Sequence, residues 1–214
     1  MTAHSPDFSR PNLQDSRQAD ILQAVRTAFI EKGFDGASMQ DLALATGMSV
    51  GNFYRYFPSK SAIVAALIEK DVAEVERDFA AIQSMQNPFD GLRMAARKHV
   101  MDCSCSGDGQ LWAEMTAAAM RKGDVAEVVC RMETAVQESM LRIIACGKGL
   151  DFETARDRYA AHIELLMLLV KGAGTRVELQ RPRHATAGGP DLTALILRTI
   201  DQVLDEISND DVKV

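Results

Sequence analysis

The chain has 214 residues, 47% of them hydrophobic, 25% charged and 6% aromatic, with a formal net charge of −6. A chain of this length buries a substantial core, as one large domain or two small ones, and its wealth of Ala, Leu, Met and Glu favours helices over a sandwich or barrel. The longest apolar run, residues 165–170, is flanked by Glu164 and Lys171 and falls far short of the roughly 20 residues of a membrane span. With no basic start and apolar stretch at the amino terminus, the expectation is a cytoplasmic chain without membrane contact.

Residues 1–15 form a polar tail containing Pro6 and Pro11. A first helix is expected over 16–32, where Ile21, Leu22, Val25, Ala28 and Phe29 recur on one face and Gly33 ends the pattern. Ser38 is placed to cap a second helix carrying Met39, Leu42 and Ala43, and Gly47 supplies a residue tolerant of positive φ where that helix stops. Ser49 then caps a third, crowded with polar and aromatic residues. Two short helices around a Gly-containing turn make a helix-turn-helix, whose second helix is able to read DNA. On that helix Asn52 and Arg55, three apart, suit base edges, an amide toward adenine and a guanidinium toward guanine. Tyr54 and Tyr56 offer hydroxyls and Lys60 a point charge to phosphate oxygens, Gly51 keeps the helix start low, and Phe53 and Phe57 anchor the helix in the head.

After Pro58, Ser59 caps a long amphipathic helix in which Ile63, Leu67, Val72, Val75, Phe79 and Ile82 return at helical intervals up to Asn87 and Pro88. It is the lever between head and body. Further helices are expected over 89–101, 111–120, 124–144, 152–170 and 191–207, with breaks at 107–109, 147–149 and 188–189. The glycine pairs Gly147/Gly149 and Gly172/Gly174 lack a phosphate-loop context and read as helix ends. No repeat and no convincing strand is found. The fold class is therefore all-α, with a three-helix DNA-binding head at 16–60 and a larger helical body at 61–214.

The charge is unevenly placed. Residues 1–60 are neutral and the whole excess of −6 lies in the remainder. A neutral head on an acidic body permits binding to a polyanion if its cations gather on one face, but does not by itself predict it.

From Gly47 to Lys60 the residues run Gly, a small residue, then Gly51, a hydrophobic residue, Tyr54, an aromatic residue, Phe57 and Lys60. This pattern resembles the start of the tetracycline-repressor (TetR) family of bacterial transcription regulators, over about the first third of the chain. The resemblance implies Ser38 and Ser49 as phosphate contacts and supports Tyr54 and Lys60 in that role. It also implies a ligand-responsive regulator, most often a repressor, that binds a palindromic double-stranded DNA operator as a homodimer and is released by a small-molecule effector held between helices of residues 61–171. Family members usually dimerise through their last two long helices. Here the last helix carries the stripe Leu192, Leu195, Ile196, Thr199, Ile200, Val203, Leu204 and Ile207, and the helix before it Ile163, Leu166, Met167 and Val170. On pattern alone a monomeric core explains them equally well; the resemblance favours a dimer face.

Phe79, Trp112, Met115 and Met132 are candidates for an apolar effector pocket, with ordinary core packing as the competing reading. The four cysteines are expected as thiols, with Cys130 and Cys146 packed on apolar helical stretches. Cys103 and Cys105, in a polar break near His99, suggest a thiol- or metal-responsive alternative, although a fourth metal ligand is missing. No cofactor and no catalytic residue is expected: a rival all-helical enzyme or carrier would need a paired nucleophile and base, which are not found.

Overall fold

The computed structural model describes residues 13–102, 108–180 and 192–210, which form nine helices and no strand. They are α1 (Leu13–Lys32), α2 (Met39–Ala45), α3 (Val50–Tyr56), α4 (Lys60–Gln83), α5 (Pro88–Asp102), α6 (Asp108–Ala119), α7 (Gly123–Lys148), α8 (Phe152–Gln180) and α9 (Leu192–Asn209). None of them is long and apolar enough to cross a membrane.

Local chemistry sets the helix starts. Ser38, Ser49 and Ser59 each accept a backbone N–H at the start of α2, α3 and α4, the cap that an otherwise unpaired first turn requires. At α2 the cap is reciprocal, because the Asp41 carboxylate accepts the Ser38 N–H at 2.9 Å. Gly47 turns the chain between α2 and α3 with φ of 67°, a conformation that costs other residues a Cβ clash. Helix α5 opens on Pro88, whose missing N–H is no loss at a first helical position, and Asn87 accepts the Phe89 N–H beside it.

Two hydrophobic clusters hold these helices together, and they do not divide at residue 60. The first joins Leu22, Phe29, Phe34, Leu42, Phe53, Phe57, Ile63 and Leu67 to Leu111, Met115 and Ala118 of α6 and Val125, Val129 and Met132 of α7. The second joins Ile82, Phe89, Leu92 and Val100 to the end of α7, to Ala155, Tyr159, Ile163 and Leu166 of α8, and to Ile200, Val203, Leu204 and Ile207 of α9. Helices α6 and the first half of α7 therefore lie under the head, while α5, α8 and α9 build the far end.

Several expectations are corrected. Helix α8 runs through Gly172 and Gly174 to Gln180, because the second cluster buries Ala173 between them together with Ala155, Tyr159, Ile163 and Leu166 earlier in the helix, and this packing outweighs the roughly 1 kcal/mol that each helical glycine costs. Gly147 is also helical: a Cβ there would lie 3.0 Å from the Phe89 ring, so the glycine permits close packing, and the helix ends two residues later at Gly149, with φ of 65°. Helix α4 stops at Gln83, short of Asn87, and α6 begins within the expected break at 107–109. Cys130 and Cys146 are exposed, since the face of α7 that packs carries Val125, Val129, Met132 and Leu141 instead. The expected break at 188–189 and the residues Cys103 and Cys105 lie outside the described residues.

Candidate nucleic-acid interface

Helix α3 is seven residues long and divides sharply by face. Phe53 is buried and packs against Phe57, with ring centroids 5.3 Å apart, so that one side of the helix is locked into the first cluster. At 100° per residue, Gly51 and Arg55 occupy the centre of the opposite face, Val50 and Tyr54 one flank, Asn52 and Tyr56 the other. Tyr54, Arg55 and Tyr56 are exposed and Asn52 half-buried, which places donors and acceptors of several kinds on one surface. A Cβ at Gly51 would have no heavy atom within 4 Å, so nothing in the chain stands between the backbone there and an incoming groove.

The two capping serines differ in what they have left to offer. The Ser38 hydroxyl accepts from the Asp41 N–H at 3.1 Å and also contacts the Asp41 carboxylate, so its donor and acceptor are both engaged in its own cap. The Ser49 oxygen accepts from the Asn52 N–H at 3.4 Å and its proton has no protein acceptor among the described residues. Asp41 is held far below the ordinary carboxylate range by its hydrogen bond from Lys32 and those from Ser38.

Lys60 is not presented beside the other polar residues. Its Nζ donates to the carbonyls of Phe34 at 2.8 Å and Asp35 at 3.1 Å and lies 5.4 Å from the centroid of the Phe34 ring. Burial, and then the nearby Lys122 ammonium, lower its pKa from the usual lysine value. The ammonium therefore ties the turn between α1 and α2 to the start of α4, with one donor left over.

That same turn is held from the body. Gln110 donates to the Ile30 carbonyl at 2.6 Å, the Glu114 carboxylate accepts the Phe34 N–H at 2.9 Å, and Arg121 and Lys122 reach the Asp35 carboxylate at 2.6 and 2.7 Å. These two cations hold Asp35 below the usual carboxylate range. Arg26 adds a contact to Asp71 of α4 at 2.6 Å. Sequence reasoning missed this corner because its partners lie 45 to 87 residues apart and no periodic pattern announces them.

Three of the four pocket candidates share one cluster and the fourth lies apart. Trp112, Met115 and Met132 belong to the first cluster, between head and body, whereas Phe79 packs against the second. An open cleft of about 600 Å³ lies elsewhere, lined by Arg158, Tyr159 and His162 of α8 and by Glu206, Ile207, Asn209 and Asp210 at the end of α9. Tyr159 donates to the Asp210 carboxylate at 2.7 Å, and burial followed by that carboxylate raises its pKa. The faces of α8 and α9 are also redistributed. Ile163 and Leu166 are buried in the chain's own core, and so is Ile200, at 1% exposure; the apolar residues turned outward are Leu165 and Leu168 on α8 and Leu192 and Leu195 on α9. No group of three His, Cys, Asp or Glu side chains suited to a metal is present among the described residues.

Residues 21–67 match the family model described as bacterial regulatory proteins, tetR family. Over 70 residues the chain is 39% identical to YfiR, a helix-turn-helix-type transcriptional regulator of Bacillus subtilis, an alignment covering 33% of this chain and 34% of that one. Over 122 residues it is 30% identical to the transcriptional regulator UidR of Escherichia coli, covering 55% of this chain and 59% of the relative. The chain thus spans about a third to three fifths of the length of these curated relatives. The solved structure of Salmonella enterica GusR has the same fold, with a TM-score of 0.68 at 21% identity, over 94% of this chain and all of that one.

Proposed function

The chain belongs to the tetR family of bacterial regulatory proteins, and from that premise we propose that it is a DNA-binding transcription regulator whose α3 enters the major groove. The observation that carries this reading is the division of α3: Phe53 and Phe57 fix the helix from behind while Gly51, Asn52, Tyr54, Arg55 and Tyr56 remain on the open side. Arg55 and Asn52 are assigned to base edges. Tyr54, Tyr56 and the free Ser49 proton are assigned to phosphates, which set register without reading sequence. Ser38 positions α2, and Lys60 orders the turn behind it through the Phe34 and Asp35 carbonyls.

The second part of the proposal is assembly. Leu165 and Leu168 on α8 and Leu192 and Leu195 on α9 are exposed, and we assign them to the face that meets a second copy related by a two-fold axis. Such a dimer presents two copies of α3 to successive major grooves about 34 Å apart and binds a palindromic operator. Regulation by a small molecule follows if the ligand favours a state of the body in which this spacing is wrong, and the ligand must bind that state more tightly than the DNA-competent one. The corner of Gln110, Glu114, Arg121 and Lys122 is the polar route by which such a change reaches the head.

Selection of duplexes from a random pool, followed by sedimentation of the protein with and without the enriched duplex, tests both parts. The expected result is a palindromic site bound by two protomers. A pool that yields no enriched sequence overturns the DNA-binding reading, and a monomer on a single half-site overturns the assembly.

A further inference from the structure

The first residue of α3 is a valine with no evident use in the chain. Val50 is 41% exposed, is absent from the cluster that anchors Phe53 and Phe57, and is β-branched in a helix with room for a better helix former. A single exposed apolar residue needs no explanation. Here, however, Leu44, Val50, Tyr54 and Tyr56 place a third of the exposed large apolar side chains of the described residues within 13 positions of the helix-turn-helix.

Charge gives a second, independent observation. Between residues 18 and 60 the chain has four cations, and three are engaged: Arg26 with Asp71, Lys32 with Asp41 at 2.5 Å, and Lys60 with the Phe34 and Asp35 carbonyls. Arg55 is the one without an ion pair among the described residues. Among the described side chains of residues 18–60, free cations are so few that this part of the head relies more heavily on apolar and hydrogen-bonding contacts to bases than on phosphate neutralisation. In the major groove the apolar feature that distinguishes one base is the 5-methyl group of thymine.

We propose that Val50 is a specificity-determining residue that reads a thymine 5-methyl group in the operator. N-terminal residues of a recognition helix are the ones that contact base edges, and Val50 opens this helix. Gly51, central on the same face and unobstructed for 4 Å, lets the backbone sink toward the groove floor and carries the flank of Val50 and Tyr54 with it. The isopropyl group then covers the methyl and excludes water from both.

This inference rests on the DNA-binding reading, and the experiment separates the two. A duplex selected with the wild-type chain is resynthesised with each thymine replaced in turn by deoxyuridine, which removes the methyl and keeps every hydrogen-bonding group. At one thymine per half-site, wild type is expected to lose about fourfold in affinity per substituted half-site, the worth of one buried methyl or methylene. Val50→Ala is expected to bind the thymine duplex correspondingly more weakly and to be indifferent to deoxyuridine there, while Val50→Ile stays sensitive. Because Val50 is solvent-exposed, the variants keep the wild-type melting temperature. Indifference of the wild type to deoxyuridine at every position, a selected site without thymine, or full sensitivity retained by Val50→Ala overturns the assignment to Val50 and leaves DNA binding intact. Failure to enrich any duplex overturns both.

Discussion

Helices α2 and α3 on one hand, and α8 and α9 on the other, are both pairs of adjacent amphipathic helices, yet they are specified at different ranges. In the first pair each helix start is made by a serine bonding within three residues, and the turn between them by one glycine with positive φ. In the second, the division between inward and outward residues depends on which other helix covers them: Ile163, Leu166 and Ile200 meet the chain's own core, while Leu168 stands 67% exposed. Short-range contacts set the ends of α2 and α3 and the turn between them, while the seat of that pair on α6 and α7 is set, like the far end, by long-range packing. A far end made of long-range packing is where the molecule has freedom to take another arrangement or another chain.

The largest effects should come from the clusters themselves. Phe53→Ala removes the aromatic that anchors α3 and is expected to cost about 3–5 kcal/mol, with Ile163→Ala costing about 2–5 kcal/mol at the other end; chemical denaturation measures both. A transition in which one variant melts only its own half would show two separate folding units, whereas a single shared transition would show that the clusters cooperate.

Next comes the surface of α8 and α9. Leu168→Glu combined with Leu195→Glu is expected to leave the protomer folded, since both residues are exposed, and to give a monomer with much weaker operator binding. Ile200→Glu, by contrast, charges a buried position and should unfold the chain. A Leu168/Leu195 double variant that sediments as a dimer would place the interface on a different face.

Smaller effects sharpen the account of the head. Arg55→Ala should relax discrimination at one base pair per half-site by about 1–3 kcal/mol, while Lys60→Met should lower the melting temperature and leave the salt dependence of binding nearly unchanged. A loss of about one unit of salt slope on Lys60→Met would return that ammonium to the phosphates. Ser49→Ala, which removes a cap, is expected to cost about 1 kcal/mol in stability.

The smallest effect is acid dependence. Asp41 and Asp35 have carboxyls lowered in the fold by cationic and hydroxyl partners, so their contribution is fully present above the unfolded carboxylate value of about 3.9 and fades as pH falls toward their folded values. The difference in melting temperature between wild type and Asp41→Ala should therefore be constant above about pH 5 and close as the solution is acidified below about pH 4. A difference that grows on acidification would reverse the sign of this assignment.

What was legible in the sequence follows the same division. Ser38, Ser49, Ser59, Gly33, Gly47 and Gly149 act through neighbours a few positions away, and their roles are visible in the order of residues. Lys60 could be placed on the motif but not given its partners, because the carbonyls it binds are 25 and 26 residues distant. Gly147 and Gly172 are not the helix ends expected of them for a related reason: Gly147 makes room for the Phe89 ring, and the helix continues past Gly172 because Ala173 is buried in the second cluster, and neither partner is local. The stripe on α9 announced that it would be covered; periodicity does not say whether the cover is α5 and α8 of the same chain or a second protomer.

The corner beneath the head has a consequence for modular engineering. Residues 30–35 are gripped by Gln110 and Glu114 of α6 and by Arg121 and Lys122 in the turn before α7, and Phe29, Phe34 and Phe57 share their cluster with Leu111, Met115 and Val129. A chimera cut at residue 60 would separate both sets of contacts, exposing apolar surface on each fragment and leaving Asp35 without its cations. A graft that preserves operator choice must therefore carry α6 and the opening turns of α7 along with the reading helices, so that the transplantable unit of this protein is discontinuous in its chain.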